Sequence, residues 1–148
     1  MSERGDRKAR ERRLHYRLMH RIYVLCGSSE WRLRYGRIEG NKKLCGNHGL
    51  GPNIVGFVDE ETQTIWVDHR NDVIATFVHE CLHVLIGDKY VKREKAEERE
   101  VQRLEKLIVR HMSACQAHRL HIHMSNMLVS PAPGVSARCG AGRKRCVA

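Results

Sequence analysis

Residues 71–87 place the tightest constraint on how this chain folds. Asn71 or Asp72 can cap a helix, and Ile74, Phe77, Val78, Leu82, Leu85 and Ile86 then recur at helical spacing until Gly87 supplies a stop. A helix with so broad an apolar surface has to be buried against other elements. Inside it stands His79-Glu80-Cys81-Leu82-His83. The four-residue separation puts both imidazoles on one helix face, one turn apart, where they can grip a single Zn²⁺. Glu80 lies about 100° further round. That is too far to complete the grip, but near enough to reach a water on the open side of the metal.

The flanking sequence reads as a small α+β domain. Asp6 to Val24 lacks Gly and Pro and carries Leu14, Leu18 and Ile22, with Tyr16, as a narrow apolar stripe on a basic helix that Gly27-Ser28-Ser29 ends. Trp31-Arg32-Leu33-Arg34-Tyr35 alternates at period two, as a strand with one buried face does. Gly36 to Asn53 is rich in Gly and Asn and is expected to be mostly loop bordering a cleft. Residues 54–58 and Thr64-Ile65-Trp66-Val67 are β-rich runs joined by Asp59-Glu60-Glu61-Thr62, which reads as a hairpin. A second helix is expected from about Lys92 to His111, with Val101, Leu104 and Ile108 facing inward and Glu94, Glu97 and Glu98 in its opening turns.

Organisation follows: residues 1–28 as a basic N-terminal helix, 29–113 as the domain proper, and 114–148 as a flexible basic tail containing Cys and His. Pro131, Pro133, Gly134, Gly140 and Gly142 leave that tail little apolar surface to bury. At 148 residues there is room for one core. Lys and Arg number 27 against 17 Asp and Glu, a balance of +10 that favours polyanionic or acidic partners. Six scattered cysteines without CxxC spacing suit reduced thiols. No apolar run approaches the roughly 20 residues that cross a bilayer, nor does a signal-peptide stretch follow the charged N-terminus, so a cytoplasmic protein without a membrane segment is expected.

The chemistry implied by the motif is metal-assisted hydrolysis. Zinc lowers the pKa of a bound water to about 7 and polarises a carbonyl, while Glu80 moves the proton to the leaving nitrogen. A catalytic zinc usually has three protein ligands, and the acidic helix offers Glu97, Glu98 and Glu100. An antiparallel helical hairpin would bring Glu97 and Glu98 level with His83, at about 1.5 Å of rise per residue. Phase puts Glu97 at the centre of the inward stripe and Glu98 and Glu100 to either side.

Three segments carry a family resemblance: Ile65-Trp66-Val67-Asp68-His69-Arg70, Thr76-Phe77-Val78-His79-Glu80-Cys81-Leu82-His83-Val84-Leu85, and Glu97-Glu98-Arg99-Glu100-Val101-Gln102-Arg103-Leu104. Over about Thr64 to Val109 the chain resembles small zinc-metallopeptidase-like proteins of the gluzincin type, related to SprT-like and minimal gluzincin domains of phage and bacterial genomes. The resemblance implies a minimal zincin-like core: N-terminal helix, three-stranded sheet, HExxH helix and antiparallel acidic helix. It also implies a peptide or protein substrate, and Glu98 as third ligand through an E-x-x-V-x-x-L pattern. Glu100 begins a second, similar run. A separate substrate-binding subdomain is missing, and His48, His69, Tyr90 and His111 are the candidates for a transition-state residue.

Other features have plainer readings. Asp68 could orient a ligand imidazole or serve turn chemistry at a strand end. Cys81 points away from the histidines and reads as core. Cys115, His118, His121 and His123 match no zinc spacing. The alternative to an enzyme is a non-catalytic, zinc-stabilised accessory protein that contacts nucleic acid through its basic ends.

Overall fold

In the computed structural model, which describes residues 3–38, 54–129 and 144–146 (the last three through their backbone only), helix α1 spans Glu3–Gly27. Leu18, Met19, Ile22, Leu25 and Cys26 are buried along it, while Tyr16 is 65% exposed and leaves the stripe. α1 runs about one turn further at each end than the expected Asp6–Val24, taking in Gly5 in its first turn and ending on Gly27.

The three expected strands form as β1 (Arg32–Tyr35), β2 (Gly56–Asp59) and β3 (Thr64–Val67). β2 and β3 make the antiparallel hairpin, and Asp59 shapes its turn by accepting bonds from the Glu61 and Thr62 amides. β1 pairs parallel with β3, so the sheet is not a simple meander. A fourth strand, β4 (Lys144–Cys146), adds antiparallel to the free edge of β2, giving the order β1-β3-β2-β4. The loop expected between Gly36 and Asn53 lies outside the described residues from position 39 onward, as do 130–143 of the expected tail.

Helix α2 (Val73–Ile86) starts on Asp72, whose carboxylate accepts from the Ala75 amide at 3.0 Å. It ends at Gly87, as expected. Gly87 is right-handed at φ −56°, and the chain tightens there into a 3₁₀ turn over Gly87–Tyr90. A left-handed residue follows at Lys92 (φ 63°), just before helix α3 (Glu94–His111). α3 returns antiparallel along α2 and buries Glu97, Val101, Leu104 and Ile108, the inward stripe read from the sequence.

The reading of residues 114–148 as a flexible tail needs correction for its first half. Ala114–Met127 forms helix α4, opened by a reciprocal capping box: the Ser113 hydroxyl accepts from the Gln116 amide at 3.2 Å, and the Gln116 carboxamide accepts from the Ser113 amide at 3.0 Å. Leu120, Met124 and Met127 recur at i, i+4 and i+7 and are buried. They join α1, α2, α3 and one face of the sheet in the main core. The Val129 amide then donates to the Leu33 carbonyl, tying the chain beyond α4 to β1. A smaller cluster of Ile38, Ile54 and Phe57, with Trp66, lies apart from it.

Because Leu120 is fully buried, Leu120→Ala should lower unfolding free energy by about 2–5 kcal/mol, the usual cost of an unfilled core position. Denaturant titration of the variant beside the wild type checks this; a change below about 0.5 kcal/mol would mean that α4 is peripheral after all.

Candidate metal centre

Each side of α2 in the middle of the motif faces a different neighbour. Cys81 points to α1, where its thiol meets that of Cys26, and both are buried in the core. Glu80 points to the sheet and packs beneath Gly56 of β2. His79 and His83 point to α3 and are almost fully buried. A helical period of 3.6 spreads three such environments over five residues.

The two imidazoles present their Nε2 atoms to a common point, 3.2 Å apart. Glu98 of α3 joins them, with Oε1 3.6 Å from His79 Nε2 and Oε2 3.2 Å from His83 Nε2. One donor atom from each of the three residues lies within 4.8 Å of the others, close enough for one metal ion. Bonds of about 2.0–2.1 Å in a tetrahedron imply ligand-to-ligand edges of about 3.3–3.4 Å. The nitrogen–nitrogen separation of 3.2 Å is near that value, and the two oxygens of Glu98 each approach a different nitrogen, so the donor set is close enough to hold a metal ion.

The opposite edges of both rings are also held. His83 Nδ1 is 2.8 Å from Glu97 Oε1, and His79 Nδ1 is 2.7 Å from Glu105 Oε2. Each Nδ1–H can therefore donate to a carboxylate, which leaves each Nε2 lone pair free for a metal. The remaining acidic candidate, Glu100, turns away and makes a two-point ion pair with Arg103. The pole of the α3 stripe, where Glu97 lies, comes in behind the ring of His83; Glu98, one residue on, reaches the converging Nε2 atoms. Glu105 went unnoticed in the sequence, although it lies seven residues beyond Glu98, nearly two whole turns along the same side of α3.

Other residues singled out in the sequence have different surroundings. Asp68 does not orient a ligand imidazole: its buried carboxylate takes two bonds from the Arg70 guanidinium, at 2.9 and 2.6 Å, and one each from the Arg70 and Ile38 amides. Arg70 first, and those amides with it, hold Asp68 well below the usual carboxylate range against the effect of burial. This is strand-end turn chemistry. His69 is exposed on the same turn, and Tyr90 packs at the margin of the main core. His111 lies near His15 and Glu11 at the α1–α3 contact. His48 is outside the described residues.

Glu80 has an unusual environment. It is fully buried, and neither carboxylate oxygen has a hydrogen-bond partner among the described residues. Burial pushes its pKa up to about 8; nearby His79 pulls down, and Glu98 and Glu105 push up further. Burial also opposes charge on His79, yet hydrogen bonds to Glu105 and Glu98 prevail and raise it to about 9. Glu98 shows the reverse balance, with bonds from His79, His83 and Gln102 overcoming burial to hold it well below the ordinary range. In the metal-free chain, protonated imidazole thus supplies the positive charge that these carboxylates require.

Protein-family models, curated proteins and solved structures were all compared with the chain, and none matches it. The site therefore rests on its own geometry.

Two predictions follow from that geometry. A Cβ built on Gly56 would stand 2.6 Å from Glu80 Oε1 and 2.8 Å from Thr76 Cγ2, contacts that real side chains do not tolerate. Gly56→Ala should therefore lower the melting temperature by several degrees, as about 1–3 kcal/mol of overpacking does; an unchanged melting curve would show that β2 and α2 can separate freely. The second concerns pH. His79 has a folded pKa above its ordinary 6.5, so its contribution to stability is complete below pH 6.5 and is lost as pH rises through about 9. Glu80, raised from 4.5 to about 8, acts with the same sign, losing stability as pH rises through that interval. The melting temperature of the metal-free protein should fall between pH 6 and pH 9, and a rise across that range would contradict the assignment.

Proposed function

We propose that this chain is a zinc-dependent, metallopeptidase-like hydrolase, with His79, His83 and Glu98 holding one zinc ion and Glu80 as general base. The observation that carries this reading is a three-residue cluster whose donor atoms lie within 4.8 Å of one another, beside a buried carboxylate that has no hydrogen-bond partner among the described residues. Two nitrogen donors and one oxygen suit zinc better than calcium or magnesium, which favour all-oxygen shells. When bound, zinc lowers the pKa of a water to about 7 and polarises a substrate carbonyl.

The protein supplies orientation and proton transfer. Glu80 accepts the proton of the attacking water on a carboxylate oxygen and returns it to the departing amide nitrogen. A cation at the histidines would pull Glu80 down from about 8 toward the range in which a carboxylate serves as a base near neutral pH. Gly56 and Thr76 wall this carboxylate, and among the described residues it has no competing hydrogen bond to break first.

A second reading, a non-catalytic zinc-stabilised protein that binds nucleic acid, draws on α1, where Arg10, Arg13 and Arg17 are exposed and follow one another at i, i+3 and i+7. The two readings separate in the same assays. Glu80→Gln should retain one zinc per chain by metal analysis and lose at least about 100-fold in peptide-bond cleavage, the scale of general-base catalysis, while His83→Ala should lose the zinc. Full cleavage by Glu80→Gln would remove the role given to that residue. Salt-sensitive DNA binding that chelators leave unchanged, with no cleavage of any peptide library, would favour the second reading.

A further inference from the structure

We infer that Glu105 is a positioning residue for the metal centre, fixing the tautomer and ring orientation of His79; the inference rests on the zinc reading above. His79 is deeply buried, and its two nitrogens face opposite ways, Nε2 toward Glu98 and Nδ1 toward Glu105 at 2.7 Å. An imidazole rotating about its Cβ–Cγ bond, or carrying its proton on the wrong nitrogen, offers no ligand at Nε2. One acceptor at Nδ1 prevents both faults, because it requires the N–H there and anchors the ring edge.

The neighbouring carboxylates are otherwise engaged. Glu98 faces the two Nε2 atoms, Glu97 takes Nδ1 of His83, Glu100 pairs with Arg103, and Glu80 lies against Gly56. Glu105 is thus the carboxylate seated on the Nδ1 side of His79. Helix geometry explains how it gets there. α3 runs antiparallel to α2, so the later residue of α3 meets the earlier histidine of the motif, and a seven-residue step from Glu98 advances about 10 Å while returning to the same side within about 20°. Unlike Glu97, which is buried, the Glu105 side chain keeps about a quarter of its surface exposed. It can therefore be changed with less risk to the fold.

The test measures zinc affinity by competition with a chromophoric chelator for the wild type, Glu105→Ala and Glu105→Gln, with far-UV circular dichroism as a check on folding. Glu105→Ala should bind zinc about 10–100-fold more weakly, the range found for outer-shell partners of ligand histidines. Glu105→Gln keeps an acceptor and should recover part of that loss. In ¹⁵N-resolved spectra of the zinc-loaded wild type, the His79 Nδ1 proton should be seen and slow to exchange; in Glu105→Ala it should be lost to exchange. Equal zinc affinity in a folded Glu105→Ala, or an unchanged His79 signal, overturns the inference while leaving the zinc reading intact. Absence of zinc uptake by the wild type overturns both.

Discussion

Two imidazoles buried between α2 and α3 impose the central electrostatic condition of this molecule. Around them stand Glu80, Glu97, Glu98 and Glu105, three of them from α3. Carboxylates gathered in a partly hydrated space repel one another, and a charge buried among them without a counter-charge is costly. A positive centre has to lie among them. A proton on His79 supplies it in the metal-free chain, and a metal cation can replace that proton with more charge at the same point.

That condition reaches into the scaffold. α3 must lie antiparallel to α2 at a fixed height, which the 3₁₀ turn at Gly87–Tyr90 and the left-handed Lys92 achieve within a short connection. β2 must approach α2 closely enough to wall off Glu80, which requires a residue without a side chain at Gly56. Behind the site, α1 and α4 cover the apolar remainder of α2, so the motif helix is enclosed on several sides at once. Such enclosure keeps side chains in single rotamers, as a preorganised site needs.

Legibility in the sequence varied with how local each cause was. The motif helix, the hairpin and the inward stripe of α3 were readable because capping, alternation and helical period act over a few residues, and the observed Asp72 cap and Thr64–Val67 strand follow those signals. Helix α4 was missed even though Ser113 and Gln116 form a local capping box, because the many histidines and the Gly- and Pro-containing stretch that follows outweighed three inward apolar residues. Tyr16 fell outside its expected stripe because an aromatic ring at a stripe margin packs only if a neighbour comes near. Asp68 has its own arginine two residues on, and a sequence offers that partner and a distant histidine with equal ease.

By itself, the sequence determined that two histidines and a glutamate share one turn of a buried helix, because the 3.6-residue period places them there whatever surrounds the helix. It also limited the remaining donors to an acidic stretch downstream. Only the tertiary structure decided how those carboxylates are distributed: Glu98 toward the converging nitrogens, Glu97 and Glu105 behind the rings, Glu100 out toward Arg103. The reason is that adjacent helical residues differ by about 100° in direction, while the rotation and axial offset of one helix against another depend on side chains packed along their whole length. A small change in either would exchange the roles of neighbouring glutamates, and no local pattern in the sequence encodes it.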